Sequence, residues 1–348
     1  MAAMQIGTYM DTHGVIVRSE TEFWVENVAP ETMRPLELAR LAERCGYHSL
    51  WFPDHVTLPL ETTPVHIVNP ESGKRHYVER PQMLDALTTM AAVAAVTERI
   101  RLATSVLIAP YRPPLHDARQ FATVDHLSNG RLIAGVGAGW AKEEFEALGL
   151  DYAQRGAMTD ECIQVYRTAW TEDTPRFEGE FYRFANITMD PKPVQQPHPP
   201  IVFGGVSRAG ARRAARLCDG FYPLFIHPRA RPHDLDHLHD EIRREAERVD
   251  RDLSDFLMIG VVGARLTSAD DPSVQRMPRP ICEGSAEMIL ADLEEFAEAG
   301  YSLMVVEHDC RDTKSAAELF ERVEAFGEEI IPTAAGFKAG GEWRPVPA

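Results

Sequence analysis

Cysteine is scarce and unpaired in this 348-residue chain: Cys45, Cys162, Cys218, Cys282 and Cys310 are odd in number and widely spaced. That fits neither a disulfide framework nor a C-x-x-C zinc or redox site, so five reduced thiols are expected. Positive charge is also in deficit. Lys and Arg total 36 against 53 Asp and Glu, a formal charge of −17, so the chain lacks the global field with which nucleic-acid binders displace phosphate counterions. Long apolar runs are missing too. The longest, Met90-Ala91-Ala92-Val93-Ala94-Ala95-Val96, is far below the roughly 20 residues that span a bilayer, so no membrane segment is expected. The start Met1-Ala2-Ala3-Met4-Gln5-Ile6 has no basic segment followed by an apolar one, and the cytoplasm is the expected compartment. The sequon Asn186-Ile187-Thr188 then carries no weight.

What is present is the composition of a folded enzyme: 44% hydrophobic and 26% charged residues, far from the apolar-poor range of disordered chains. The length allows two domains of about 150 residues, but pattern decides otherwise. Short β-branched or apolar runs at residues 5–10, 49–52, 100–107, 132–136, 201–203, 220–222, 256–262 and 303–306 alternate with amphipathic stretches. These eight βα units predict a closed (β/α)8 barrel, an α/β fold of one domain over residues 1–335 with a loosely held tail from 336. In the first helix Leu38, Leu41, Ala42 and Cys45 share one face and Gly46 stands where a C′ glycine belongs. Cys45-Gly46-Tyr47 and Ala299-Gly300-Tyr301 are one helix-to-strand device used twice, and Cys218-Asp219-Gly220 is a looser third copy. Three inserts interrupt the rhythm. Residues 55–82 should border the pocket, residues 171–200 contain a hairpin with Gly179 in its turn, and residues 268–284 read as a mobile loop or lid.

Several motifs bear on chemistry. Gly135-Val136-Gly137-Ala138-Gly139-Trp140 follows a strand but has Trp140 where a dinucleotide fingerprint needs glycine; close approach of a flat ligand, or glycines relieving a crowded rim, fits better. Phe203-Gly204-Gly205-Val206-Ser207-Arg208 offers a helix N-terminus with a serine at the cap, either a seat for phosphate or a plain capped turn. Ala209 spoils the nucleophile-elbow reading of the same segment. Trp51-Phe52-Pro53-Asp54-His55 sets a carboxylate and an imidazole at the C-terminal rim, where barrel catalysts sit; His55 is the candidate proton carrier and Asp54 its orienter or a cofactor ligand. His13, Tyr111, Arg112, His227, Glu307 and His308 also follow strands, and each alone reads as a solvated loop residue before it reads as a catalyst. His233, His237 and His239, set among Asp234, Asp236 and Asp240, read as the wet face of a helix, so no metal site is expected.

Taken together, Ser49-Leu50-Trp51-Phe52-Pro53-Asp54-His55, Thr104-Ser105-Val106-Leu107-Ile108, Leu127-Ser128-Asn129-Gly130-Arg131-Leu132, Gly137-Ala138-Gly139-Trp140 with Glu143-Glu144-Phe145, Phe177-Glu178-Gly179-Glu180-Phe181-Tyr182, Pro191-Lys192-Pro193-Val194-Gln195 and Gly204-Gly205 resemble the bacterial-luciferase-like flavin-dependent oxidoreductases. The likeness covers roughly residues 5–225. It implies a homodimeric barrel that binds a flavin or 5-deazaflavin at the C-terminal rim. In the deazaflavin branch a non-prolyl cis peptide bulges at the place of Ser105-Val106, with an aspartate near the ring and a histidine near its reactive carbon at the places of Asp54 and His55.

The resemblance therefore favours coenzyme F420 and hydride transfer to or from a small organic substrate, with His55 exchanging the matching proton. The cofactor set it implies is Asp54, His55, Ser105, Val106, Ile108, Ala138, Gly139, Glu143, Phe203, Gly204, Gly205 and Ser207. His13, Tyr111 and Trp140 would face the substrate. Trp140 stands where the sugar-phosphate dehydrogenase of this branch has a glutamate, so an apolar or planar substrate is expected in place of a sugar phosphate. The alternative on the same barrel is an FMN-dependent monooxygenase that uses oxygen and receives reduced flavin from a partner reductase.

Overall fold

The computed structural model describes residues 3–10, 12–18, 23–60, 80–224, 230–275, 278–310 and 316–340. Eight parallel strands close on themselves: β1 (Gln5–Tyr9), β2 (Ser49–Phe52), β3 (Arg101–Thr104), β4 (Leu132–Gly137), β5 (Ile201–Gly204), β6 (Gly220–Tyr222), β7 (Leu257–Leu266) and β8 (Leu303–His308). Closure is made by β8 against β1, with Gln5 opposite Leu303 and Thr8 opposite Val306. Helices α1 (Pro35–Arg44), α2 (Ala86–Ala94), α3 (Pro114–Leu127), α4 (Arg155–Thr171), α5 (Arg208–Leu217), α6 (Asp236–Arg248), α7 (Ala286–Glu298) and α8 (Ala317–Glu329) surround it. Strands covered on both faces must be apolar throughout, and every residue of β4 is buried accordingly. Inside the barrel Trp51, Ala103, Ile133, Val202, Tyr222, Leu257, Ile259, Val261, Leu303 and Val305 form one cluster. Tyr222 and Val261 of this cluster reach the cavity at the C-terminal mouth.

The repeated joint is a Schellman turn. Gly46 (φ +83) and Gly300 (φ +97) take the left-handed conformation that side chains disfavour. The amides of Tyr47 and Tyr301 reach back to the carbonyls of Ala42 and Phe296 at 3.0 Å in both copies. The third copy differs: Gly220 is not left-handed, and Asp219 accepts from the Ile201 amide at 2.9 Å and pairs with Arg167 at 2.7 Å, which ties the joint to the start of β5.

Four expectations change in detail. The run 100–107 is broken after Thr104 by a cis Ser105-Val106 peptide, and Leu107–Ile108 pairs separately with β4. The segment 268–284 is ordered where described: Arg265 ties Asp271, Ser273 and Glu283 together, and Glu283–Gly284 pairs with β7. The chain from Gly336 is held at least to Gly340, through the Met4 amide on the Phe337 carbonyl at 2.9 Å and the Gly340 amide on the Ala297 carbonyl at 2.7 Å. A hairpin of Val15–Arg18 and Phe23–Glu26 follows β1, in a stretch read without strands. The hairpin at Gly179 is present, pinned by Glu161, which accepts the amides of Glu180, Phe181 and Tyr182 at 2.6, 3.0 and 3.1 Å. Of the insert 55–82, residues 61–79 lie outside the described residues, as does His227. All five cysteines are free, and among the described residues no helix is long and apolar enough to cross a membrane.

Candidate active site

A cavity of about 550 Å³ opens at the C-terminal mouth of the barrel, within the size range of small-molecule sites. Its central feature is Val106. The side chain projects into the mouth from the cis peptide, and a Cβ on Gly137 or Gly204 would come within 2.5 and 2.6 Å of its methyl groups. Those glycines therefore make room for Val106; for Gly137 this is the relief of a crowded rim, one of the two readings its spacing allowed. Ser105 beneath is fixed from two sides, by the Tyr9 hydroxyl donating to its carbonyl at 3.2 Å and by a 2.9 Å bond between its hydroxyl and that of Tyr222.

His55 follows β2 and lines the cavity with a side chain 6% exposed. Its Nδ1 lies 2.7 Å from Oε2 of Glu144, a fully buried carboxylate on the short helix Lys142–Ala147. Oε1 of Glu144 accepts the backbone amides of Val56 and Thr57 at 2.8 and 3.0 Å. Burial alone would raise the Glu144 carboxyl, but the bond and charge of His55, the Thr57 amide and nearby Tyr111 outweigh it and hold the group below the usual carboxylate range. An ionised carboxylate only accepts, so Nδ1 donates to Glu144. Trp140 meets the imidazole edge-on with centroids 6.2 Å apart.

Asp54 is 4% exposed and lines the same cavity, but its oxygens are occupied. Arg112 donates to both, at 2.6 and 2.8 Å, and the Ile108 amide adds a third bond at 3.2 Å. Asp54 thus clamps the wall that carries Ile108, and burial, which would lower the Arg112 guanidinium, is outweighed by this pairing.

Another wall is made by the starts of two helices. Ser207 caps α5, accepting the Gly210 amide at 3.0 Å, and Gly205 (φ +154), Val206, Ser207 and Ala209 line the cavity beside Ala153, Arg155 and Gly156 at the start of α4. Two helix N-termini thus point positive dipole ends at one place. Arg155 lies 3.9 Å over the Tyr152 ring and donates to the Tyr152 carbonyl at 2.9 Å, while Arg213 donates to the Gly156 carbonyl at 3.0 Å and is paired with Asp160. Arg155, Arg213 and Tyr152 were not singled out from the sequence. The available signal was Asp151, which caps the turn before α4 by accepting the Ala153 amide at 2.9 Å.

Of the residues singled out, Asp54, His55, Ser105, Val106, Ile108, Ala138, Gly139, Trp140, Phe203, Gly204, Gly205 and Ser207 all line this one cavity, with Glu307 from the end of β8. Glu143 is not in the lining; its neighbour Glu144 is the residue that reaches His55. Tyr111 is 6% exposed and packs edge-on against Phe145 at 4.9 Å behind the wall, its phenol raised by burial and by the Glu144 charge. His13 is 1% exposed beside Tyr9, outside the lining, and burial with the nearby His55 charge lowers it to about 3. His308 and His239 are buried, not solvated: His308 bonds the Tyr47 hydroxyl at 3.2 Å and His239 the Tyr301 hydroxyl at 2.9 Å. Among the described residues no group of His, Cys, Asp or Glu is arranged to hold a metal.

Comparison with known proteins assigns the architecture to a class. A model of the luciferase-like monooxygenase family matches residues 15–326, and the chain belongs to that family, whose members are oxidoreductases and monooxygenases. It is 35% identical over 212 residues to an uncharacterized protein of Mycobacterium tuberculosis, covering 61% of this chain and 71% of the relative. It is 38% identical over 141 residues to an FMNH(2)-dependent dimethylsulfone monooxygenase of Pseudomonas putida, covering 40% of this chain and 39% of the relative. In fold it is similar to an F420-dependent secondary alcohol dehydrogenase in complex with an F420-acetone adduct, with a TM-score of 0.72, 21% identity and coverage of 96% and 99%.

Proposed function

We propose that this protein transfers a hydride between coenzyme F420 and a small organic substrate, with His55 moving the accompanying proton. The observation that carries the reading is the His55–Glu144 pair at 2.7 Å in a cavity that Val106 also lines. The residues suit the group. Arg155 and the starts of α4 and α5 fit a phosphate; Val106, Ile108, Ala138 and Phe203 fit a flat ring. A bound 5-deazaflavin would supply a ring carbon that exchanges hydride. The protein's part is to anchor the phosphate through Arg155 and the Ser207 turn, to seat the ring on Val106, and to hold or release one proton at His55 Nε2. Glu144 stabilises the imidazole in both states. The family resemblance also supports a homodimer, which sedimentation would check.

An FMN-dependent monooxygenase is the second reading, favoured by the 38% identity to the dimethylsulfone enzyme. Titration of the protein with F420 and, separately, FMN, followed by tryptophan quenching, separates the two. Trp140 lines the cavity and Trp51 stacks on Tyr222 beneath it, so both are reporters. Tight binding of F420 without FMN supports the proposal; tight binding of FMN alone, with oxygen uptake, replaces it with the second reading.

A further inference from the structure

Tyr111 is buried behind the cavity wall, and its neighbours fix where its hydroxyl lies. It closes the single turn Ala109–Tyr111 between Ile108 and Arg112, both of which are tied to Asp54. Its ring packs edge-on against Phe145 at 4.9 Å, and Phe145 is fully buried and follows Glu144 in the chain. The hydroxyl is buried, and among the described residues no group accepts it within hydrogen-bond distance. A hydroxyl both buried and idle costs stability. The carboxylate that acts most on this phenol is Glu144, with Asp54 behind it. Glu144 has room for one more donor. A carboxylate offers about four lone-pair sites, and three are filled here, by His55 Nδ1 at 2.7 Å and by the Val56 and Thr57 amides at 2.8 and 3.0 Å.

We infer that Tyr111 is a positioning residue for proton exchange: its hydroxyl closes on the open lone pair of Glu144 and sets how firmly the His55–Glu144 pair holds its proton. This deepens the redox reading of the same cavity and rests on it. While the imidazole carries its extra proton, the ring compensates the buried Glu144 charge. Once that proton leaves, the carboxylate stays charged and buried, the state in which a further donor is worth most. The phenol stabilises the second state more than the first and so eases release of the proton. Without it, burial holds the proton on the pair. Burial and the Glu144 charge push the phenol itself up, so Tyr111 stays protonated and gives a hydrogen bond, not a proton.

The test follows the nitrogen chemical shifts of the His55 ring against pH in the full chain, a readout that needs neither substrate nor turnover. Tyr111→Phe keeps the ring on Phe145 and removes only the hydroxyl. The midpoint of the His55 titration should then rise by about one unit, and the pH profile of turnover should move with it. Replacing Tyr111 with a ring-fluorinated tyrosine, a stronger donor, should lower the midpoint instead. Asp54 with Arg112, His13, Tyr152 and Glu143 also lie around the pair and the phenol, and both variants leave them in place, so a shift belongs to the hydroxyl. A midpoint that neither variant moves overturns the inference, as does a fall in Y111F. If Y111F does not fold, the fluorinated protein decides alone. Midpoints that move as expected in a protein without redox turnover on F420 or FMN support the role of Tyr111 and remove the redox reading instead.

Discussion

Oε1 of Glu144 is held by two backbone amides, and this makes the conservative change at Glu144 more disruptive than it looks. In Glu144→Gln those two donors select the amide oxygen for their side, which turns the NH2 group toward His55 Nδ1. Nδ1 must then accept, and the proton moves to Nε2. The variant should lower turnover by about 10² to 10³, with cofactor affinity within about threefold of wild type. Nitrogen chemical shifts of the His55 ring would report the tautomer directly, and an unchanged tautomer with unchanged turnover would remove Glu144 from the mechanism. His55→Ala should also retain cofactor binding while losing turnover about 10²- to 10⁴-fold. The pair was only half legible in the chain. Asp54-His55 stood out because it follows a strand, but Glu143 and Glu144 differ by one helical step of 100°, and linear spacing does not say which of the two turns inward.

At the scale of the element, glycine and arginine divide the barrel between its mouth and its base. Gly137 and Gly204 accommodate Val106 from two strands, so Gly204→Ala should push Val106 toward the cavity and weaken cofactor binding about tenfold, with destabilisation of about 1–3 kcal/mol. Val106→Ala in the same chain should restore part of both losses, and a double-mutant cycle by calorimetry and urea melts would measure that coupling. At the other end, Arg131 is 8% exposed and donates to the carbonyls of Ser128, Ile100, Ala94 and Thr97 and to the Thr97 hydroxyl, tying the end of α2 to the starts of β3 and β4. Arg131→Met should cost on the order of 3 kcal/mol in urea unfolding because it strands those acceptors, yet leave the affinity of the folded protein for cofactor unchanged. A fall in cofactor affinity would contradict a purely structural role. The βα rhythm was readable because barrel strands are short, apolar and bounded by helix stops; the hairpin after β1 was not, although Val15, Ile16, Val17 and Val25 are buried in it, because no amphipathic stretch follows its first strand to mark a βα unit. The wall of helix starts was half readable for a similar reason: Ser207 announces a cap, whereas Arg155 and Arg213 become neighbours only when α4 and α5 pack.

For the whole molecule, the buried histidines set how stability responds to acid. His13 and His308 are lowered to about 3 and His239 to about 4, in each case chiefly by burial, against an ordinary value near 6.5. A group depressed in the folded state binds its proton more readily when unfolded. The stability these three contribute by staying neutral is fully present above about pH 6.5 and is lost as pH falls toward their folded values. Asp117 acts in the opposite sense. Burial raises it to about 7 in spite of Arg112 and the Tyr166 hydroxyl, so the folded state keeps a proton between about 4 and 7 that the unfolded chain releases. Three protons favouring unfolding and one favouring folding leave a net of about two near pH 5, a slope of roughly 2.7 kcal/mol per pH unit. Urea melts at pH 5 and pH 6 should differ by about that amount, with the lower stability at pH 5. Replacing Asp117 with Asn should steepen the slope toward three protons, and replacing His239 with Gln should flatten it toward one. A slope that neither variant moves would mean that these groups titrate alike in both states, and that the acid limit of this barrel comes from its surface carboxylates instead.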